Sequence, residues 1–255
     1  MILAGVLFLP AYFLSTCAVT AVHQNQLEQQ LQSSNPQMAN ATTGTGDFYK
    51  YQSTTTTLPP SATQQQVTAA EAAIAQAKAE REAKLAAFKA AADAFEKTVT
   101  GKAGAPVGRI QIPAIGVNVI IVQGTGVPDL KKGPGHWEET PFPGQNGNFV
   151  ISGHRTTYGA PFFKLNDLKP GDEIDVTLPY AVCKYTVSET LIVLPTQLEA
   201  VAQAGREQIS LAACHPIYSA KQRIVVKGEL TSFSLLEPAS DTGQTGQTGQ
   251  TTPSS

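Results

Sequence analysis

The chain has 255 residues, 42% of them hydrophobic and 15% charged, and 18 Lys+Arg against 20 Asp+Glu leave a net charge of -2. Without a basic stripe there is little to release counterions from a phosphate backbone, which disfavours a nucleic-acid-binding function. Three cysteines with no Cys-x-x-Cys pair make neither a disulfide framework nor a structural zinc site.

In chain order, the segment Ile2–Val22 carries no charge and is rich in Leu, Val, Ala and Phe. About 20 such residues at a helical rise of roughly 1.5 Å span a bilayer core, so residues 1–22 read as a transmembrane anchor. A cleaved secretory signal and a buried core helix are the rival readings. Against the signal, no Lys or Arg precedes the apolar run, which is also long for a signal peptide. Residues 23–66 are polar, with Thr54–Thr57 followed by Pro59-Pro60, and read as a linker. Residues 67–100 change character. Thr68–Thr98 has no Gly or Pro and is Ala-rich, with a thin stripe through Ile74, Leu85, Phe88, Ala92 and Phe95. Strong helical propensity with few large apolar groups predicts a helix about 45–50 Å long. It reads as a stalk, with a helix lying against the following domain as the alternative.

Residues 106–231 switch to a period of two. Arg109–Pro113, Ile174–Leu178 and Tyr185–Ser188 alternate, and Val117–Val122, Asn148–Ser152, Gln208–Ala212 and Arg223–Leu230 are further short strands. Many short strands separated by Gly, Pro, Asn and Asp predict an all-β barrel or sandwich. Leu198–Gly205 reads as a short helix. Residues 232–255, with Thr-Gly-Gln repeats over Thr242–Gln250, read as a disordered tail.

Chemistry concentrates at strand ends. Cys17 lies in the apolar run, and Cys183 sits in an alternating strand as a packed thiol. Cys214 instead ends the strand Gln208–Ala213 and precedes a turn-prone segment, where a thiol is placed for attack if a base or cation activates it. His154 closes the strand Phe149–Gly153, and Arg223 opens the strand that returns after Cys214. Together they would perform acyl transfer, with the thiol attacking, the imidazole moving the proton and the guanidinium holding negative charge. Taken singly, a strand-end His or Arg is more often structural. His215 adjoins Cys214 but aims to the opposite face of an extended strand. His136, in Gly133–Trp137, reads as a loop residue able to line a site, and His23 as interfacial. The acidic residues are scattered, so no metal site and no cofactor is assigned.

Gly147–Gly159, containing Gly153-His154-Arg155-Thr156-Thr157-Tyr158-Gly159, resembles the histidine strand of sortases, and Leu211–Arg223 resembles their cysteine-to-arginine segment. The variants here are most similar to class E sortases of high-GC Gram-positive bacteria. The resemblance implies a closed eight-stranded sortase-type β-barrel. It also implies a cysteine transpeptidase that cuts an LPxTG or LAxTG sorting signal between Thr and Gly and transfers the protein to a cell-wall amine. It makes Cys214 the nucleophile, His154 the general acid/base and Arg223 the oxyanion or substrate-positioning group. Trp137, Tyr158, Ala212 and Ala213 become substrate contacts. The implied partners are secreted proteins bearing the signal and a peptidoglycan amine, with the domain held outside the membrane. Two positions depart from the family pattern: Ala212-Ala213 where Thr is frequent, and Trp137 where class E relatives often carry Tyr. A pilin-polymerising enzyme with a lysine acceptor and a non-catalytic tethered barrel are the alternatives. The cysteine lacks the preceding Gly of an L,D-transpeptidase, and the His-before-Cys order is wrong for a papain-like protease.

Overall fold

The computed structural model describes residues 4–38, 49–50 and 64–236, with side chains from Ser15 onward except that of Gln66. Eight strands close a barrel: β2 (Pro106–Ile112), β3 (Val117–Gln123), β4 (Gly135–His136), β5 (Asn148–Ser152), β6 (Glu173–Leu178), β7 (Ala181–Val193), β8 (Gln208–His215) and β9 (Gln222–Leu235). Their order is β9-β7-β6-β2-β3-β4-β5-β8, and β8 pairs back onto β9. A two-residue β1 (Tyr49–Lys50) adds to β9 at Phe233. Most pairs are antiparallel; β3–β4 and β5–β8 are parallel.

The alternation in the sequence becomes the two faces of these strands. Ile110, Ile112, Ile121, Ile151, Ile174, Val176, Leu211 and Val226 point inward with Phe149 and Tyr185 to form one core. Burying each aliphatic side chain is worth about 1.5–3 kcal/mol. The turn from β2 to β3 ends on Gly116, whose φ of 70° a residue with a Cβ rarely adopts. The expected strands are all present, but Tyr185–Ser188 grows into the thirteen-residue β7, and Arg223–Leu230 into the fourteen-residue β9, whose last residues, 232–235, fall in the segment read as tail and pair instead with β7. Gly135-His136, read as loop, forms the short β4, because Val122 and Gln123 on one side and Ile151 and Ser152 on the other complete its pairing. Leu198–Gly205 contributes only the 3-10 turn Leu198–Val201.

Helix α2 (Gln64–Val99) is present, but it is not a free stalk along its length. Its last turns lie against the barrel. Phe88 stacks on Phe233 with centroids 4.1 Å apart, Phe95 meets Phe142 and Tyr180, and Ala92 is fully buried. Gln145 also donates to Asp93 and Glu96. The thin apolar stripe thus has a partner at its C-terminal end, while the N-terminal half is largely exposed.

Helix α1 (Ala4–Ser34) runs twelve residues past Val22 into the segment read as linker. Leu27, Leu31 and Met38 cover Ile120 and Val122, Glu28 pairs with Arg109, and the Thr20 hydroxyl donates to the Lys131 carbonyl. The Gln24 amide accepts from the Ile120 N–H at 2.7 Å and donates to the Ile120 carbonyl at 3.1 Å. Among the described residues no helix is long and apolar enough to cross a membrane. The Thr-Gly-Gln repeat tail lies outside the described residues, as do residues 39–48 and 51–63 of the segment read as linker.

Candidate active site

Strand β8 is held on both sides, and that sets the site. On one side it runs parallel to β5 with Ser152 opposite Ala212, and the Gly153 N–H continues the ladder to the Ala212 carbonyl at 3.0 Å. On the other side it is antiparallel to β9, with Cys214 opposite Arg223. Neighbouring strands lie about 4.8 Å apart, so His154, Cys214 and Arg223 stand in a row across three strands at one end of the barrel.

The face is fixed by alternation. Ile151, Ala213 and Ile224 belong to the interior, whereas Val150, Ala212 and Val225 pack outside beneath Ala200 and Val201. Cys214 and Arg223 stand two residues from Ala212 and Val225, and His154 four from Val150, so all three share the outer face. All three line one cavity of about 300 Å³. Its other wall is the β7–β8 connection, including Leu194, Leu198 and Val201, so the groove is mostly apolar.

Each reactive group is braced differently. Gly153 lets the chain pass Phe162 closely: a Cβ there would sit 2.6 Å from the Phe162 ring. The half-buried His154 ring lies 5.0 Å from that of Tyr158, over which the Lys131 ammonium stands at 5.7 Å. Burial lowers the His154 pKa below its usual value by penalising the imidazolium. Among the described residues no carboxylate hydrogen-bonds its ring. Arg223 Nη1 donates to the Ala220 and Gln222 carbonyls at 2.9 and 3.0 Å, which fixes the guanidinium at the groove while Nε and Nη2 make no hydrogen bond among the described residues.

Of the expected substrate contacts, Trp137, Ala212 and Ala213 line the cavity. The Trp137 indole N–H donates to Ser152 Oγ at 2.6 Å, which sets the ring's orientation. Tyr158 does not line it; its ring is spent on His154. His136 does not line a site either. It is 1% exposed, with its ring nitrogens 2.9 Å from Gln123 Oε1 and 3.0 Å from the Thr140 carbonyl, and burial pushes its pKa down to about 4. His215 lies off the cavity, as strand alternation requires. Cys183 is a fully buried core thiol whose pKa burial raises well above the usual value. Sequence reasoning read a short helix within the β7–β8 connection but gave its apolar residues no part in the site. It also assigned no role to Arg155, although that residue adjoins His154. Among the described residues no group of three or more His, Cys, Asp or Glu gathers as a metal site.

A sequence profile described as "Sortase domain" matches residues 110–231. Sortase D of Bacillus subtilis is 33% identical over 137 residues, covering 52% of this chain and 66% of that protein. Two solved structures align over more of their own length. A Sortase D5 transpeptidase of Clostridium perfringens is 32% identical, with 54% of this chain and 87% of that chain covered at a TM-score of 0.49. Sortase E of Streptomyces avermitilis is 31% identical, with 52% and 93% covered at a TM-score of 0.48. The chain belongs to the sortase family. Sortases of classes D and E match at comparable identity, so identity does not separate those two classes here. The chain spans between 39% and 66% of the length of the curated sortases it matches. The matched span begins within β2 and ends within β9, so the docked parts of α1 and α2 lie outside it.

Proposed function

We propose that this sortase is a cysteine transpeptidase that cleaves an LPxTG- or LAxTG-type signal between Thr and Gly and passes the protein to a cell-wall amine. The observation that carries the reading is the convergence of Cys214, His154 and Arg223 on one apolar groove. The Cys214 thiolate attacks the Thr carbonyl carbon and forms the C–S bond, moving an electron pair onto the carbonyl oxygen. The fixed Arg223 guanidinium stabilises that charge. Collapse breaks the C–N bond, and the departing Gly nitrogen takes the proton from the His154 imidazolium. A lowered pKa makes that imidazolium a stronger acid, at the expense of its population near neutral pH. The acceptor amine then attacks the thioester, gives its proton to the imidazole and releases Cys214 as thiolate. One amide is exchanged for another, with no oxidant or reductant.

The apolar rim at Leu194, Leu198 and Val201 suits the leucine of such a signal. Trp137, oriented by Ser152, lines the same groove and is the candidate contact for the Pro or Ala at the next position. The test is mass spectrometry of Cys214 after incubation with LPxTG and LAxTG peptides. A thioester adduct ending in Thr is expected, and an unmodified Cys214 with every peptide would overturn the reading. The uncharged run Ile2–Val22 supports attachment to a membrane with the barrel on its outer side. The full chain is then expected to stay with membranes through a carbonate wash and to be cut by protease added to intact cells; release by the wash removes the anchor.

A further inference from the structure

Arg155 is the charged residue of the Gly153–Gly159 motif that the chemistry above leaves unused. It is 3% exposed. Its Nε donates to the Phe163 carbonyl at 2.8 Å, its Nη1 to the carbonyl of Cys214 at 3.2 Å, and its Nη2 to Asn166 Oδ1. Asn166 in turn donates to the Asp167 carboxylate at 2.6 Å. A buried guanidinium is costly unless its donors are matched, and here the fork is spread over the nucleophile's own backbone and the loop that follows the histidine.

The ladder explains the placement. The pairing of β5 with β8 ends at Ser152, yet the Gly153 N–H still reaches the Ala212 carbonyl. In a parallel pair the next rung falls two residues on, where the amide of residue 155 would meet the carbonyl of Cys214. The main chain turns off before that rung forms, and the side chain of the same residue delivers the N–H instead. His154 sits inside the gap so bridged.

We infer that Arg155 is a positioning residue whose guanidinium replaces the missing rung between the strand ends bearing His154 and Cys214, and so fixes imidazole and thiol relative to each other. The inference rests on the acyl-transfer reading of the site. Lysine cannot substitute, because a point charge on a flexible stem does not span three acceptors as a planar fork does.

The test compares full-length wild type with Arg155→Lys, Arg155→Gln and Arg155→Ala on a fluorogenic sorting peptide with an amine acceptor. Misplacing a reacting group by about 1 Å costs about 100-fold, so kcat of Arg155→Gln is expected to fall about 100-fold with KM within about twofold. Arg155→Lys should fall alongside it, while Cys214 stays open to iodoacetamide in both. Methylguanidinium, but not sodium at equal concentration, should restore much of the kcat of Arg155→Ala. A kcat for Arg155→Gln within about twofold of wild type overturns the inference. So does a loss that tracks the folded fraction by circular dichroism and that methylguanidinium does not relieve. If wild type itself forms no thioester on Cys214, the acyl-transfer reading falls, and this inference with it.

Discussion

The barrel holds its cysteines and histidines in two settings of opposite character. Inside, Cys183 on β7 and His136 on β4 are buried; the thiol is pushed up, and the imidazole down to about 4, by loss of solvent. At the rim, Cys214 and His154 sit half-exposed on the outer face, beside a braced guanidinium and an open groove. The residue types are the same and the sheet is continuous. What differs is the face of the strand and whether hydrogen-bonding capacity is already used. His136 has partners at both ring nitrogens, whereas the His154 ring packs on Tyr158 and, among the described residues, its nitrogens make no hydrogen bond, which leaves them for a reactant. Chemistry resides where satisfaction is incomplete.

Exchanging the roles of the two cysteines is the strongest way to break this contrast. Cys214→Ala is expected to abolish both hydrolysis and transfer of a fluorogenic peptide. Cys183→Ala should keep turnover and lose about 1–2 kcal/mol of stability by denaturant titration. Turnover retained in Cys214→Ala would end the assignment of the nucleophile. Next in size, Arg223→Lys keeps the charge but not the fork, so kcat should drop about 100- to 1,000-fold while Cys214 remains alkylatable. A near-normal kcat would remove Arg223 from the reaction.

The two histidines then separate by pH. His136 titrates near 4 when folded and near 6.5 when unfolded, so between those values the unfolded chain binds more protons. Its contribution is complete above about pH 6.5 and is lost as pH falls toward 4, roughly 3 kcal/mol in all. Unfolding titrations of wild type should show that slope, and a curve flat between pH 4 and 6.5 would contradict a buried neutral imidazole at position 136. For His154 the shift has the same direction, so the acid limb of kcat/KM should lie below 6.5. That limb should disappear in His154→Gln, whose residual activity measures what the imidazole adds. An acid limb above 6.5 would mean that His154 is better solvated than the groove suggests.

Much of the barrel and the reactive trio was legible because both depend on strands. Alternation places Ile151, Ala213 and Ile224 inward and sends their immediate neighbours outward, and Cys214, His154 and Arg223 each stand at or just past a strand end. What stayed hidden depends on contacts far apart in sequence. Nothing near Arg155 announces that its side chain completes a ladder with residue 214. Tyr158 reads equally well as a substrate contact until its ring is found on His154. The stripe on α2 is too thin to reveal a partner, because that partner is supplied by Phe142, Tyr180 and Phe233 from three other parts of the chain. His136 misled for the complementary reason: its flanking glycines and proline suggest a loop, but the strands on either side convert two residues into β4.

The amide of Gln24 has one further consequence. Strand β3 meets β4 only at its last two residues, which leaves the preceding stretch without a strand neighbour on that side among the described residues. By taking both backbone groups of Ile120, Gln24 occupies the place of an incoming strand, and Leu27 and Leu31 roof the apolar residues beside it. An open edge of this kind is a template for cross-chain pairing. The N-terminal helix therefore acts as an edge guard, and a barrel shortened to the catalytic fold alone would offer its neighbours a ready seam for aggregation.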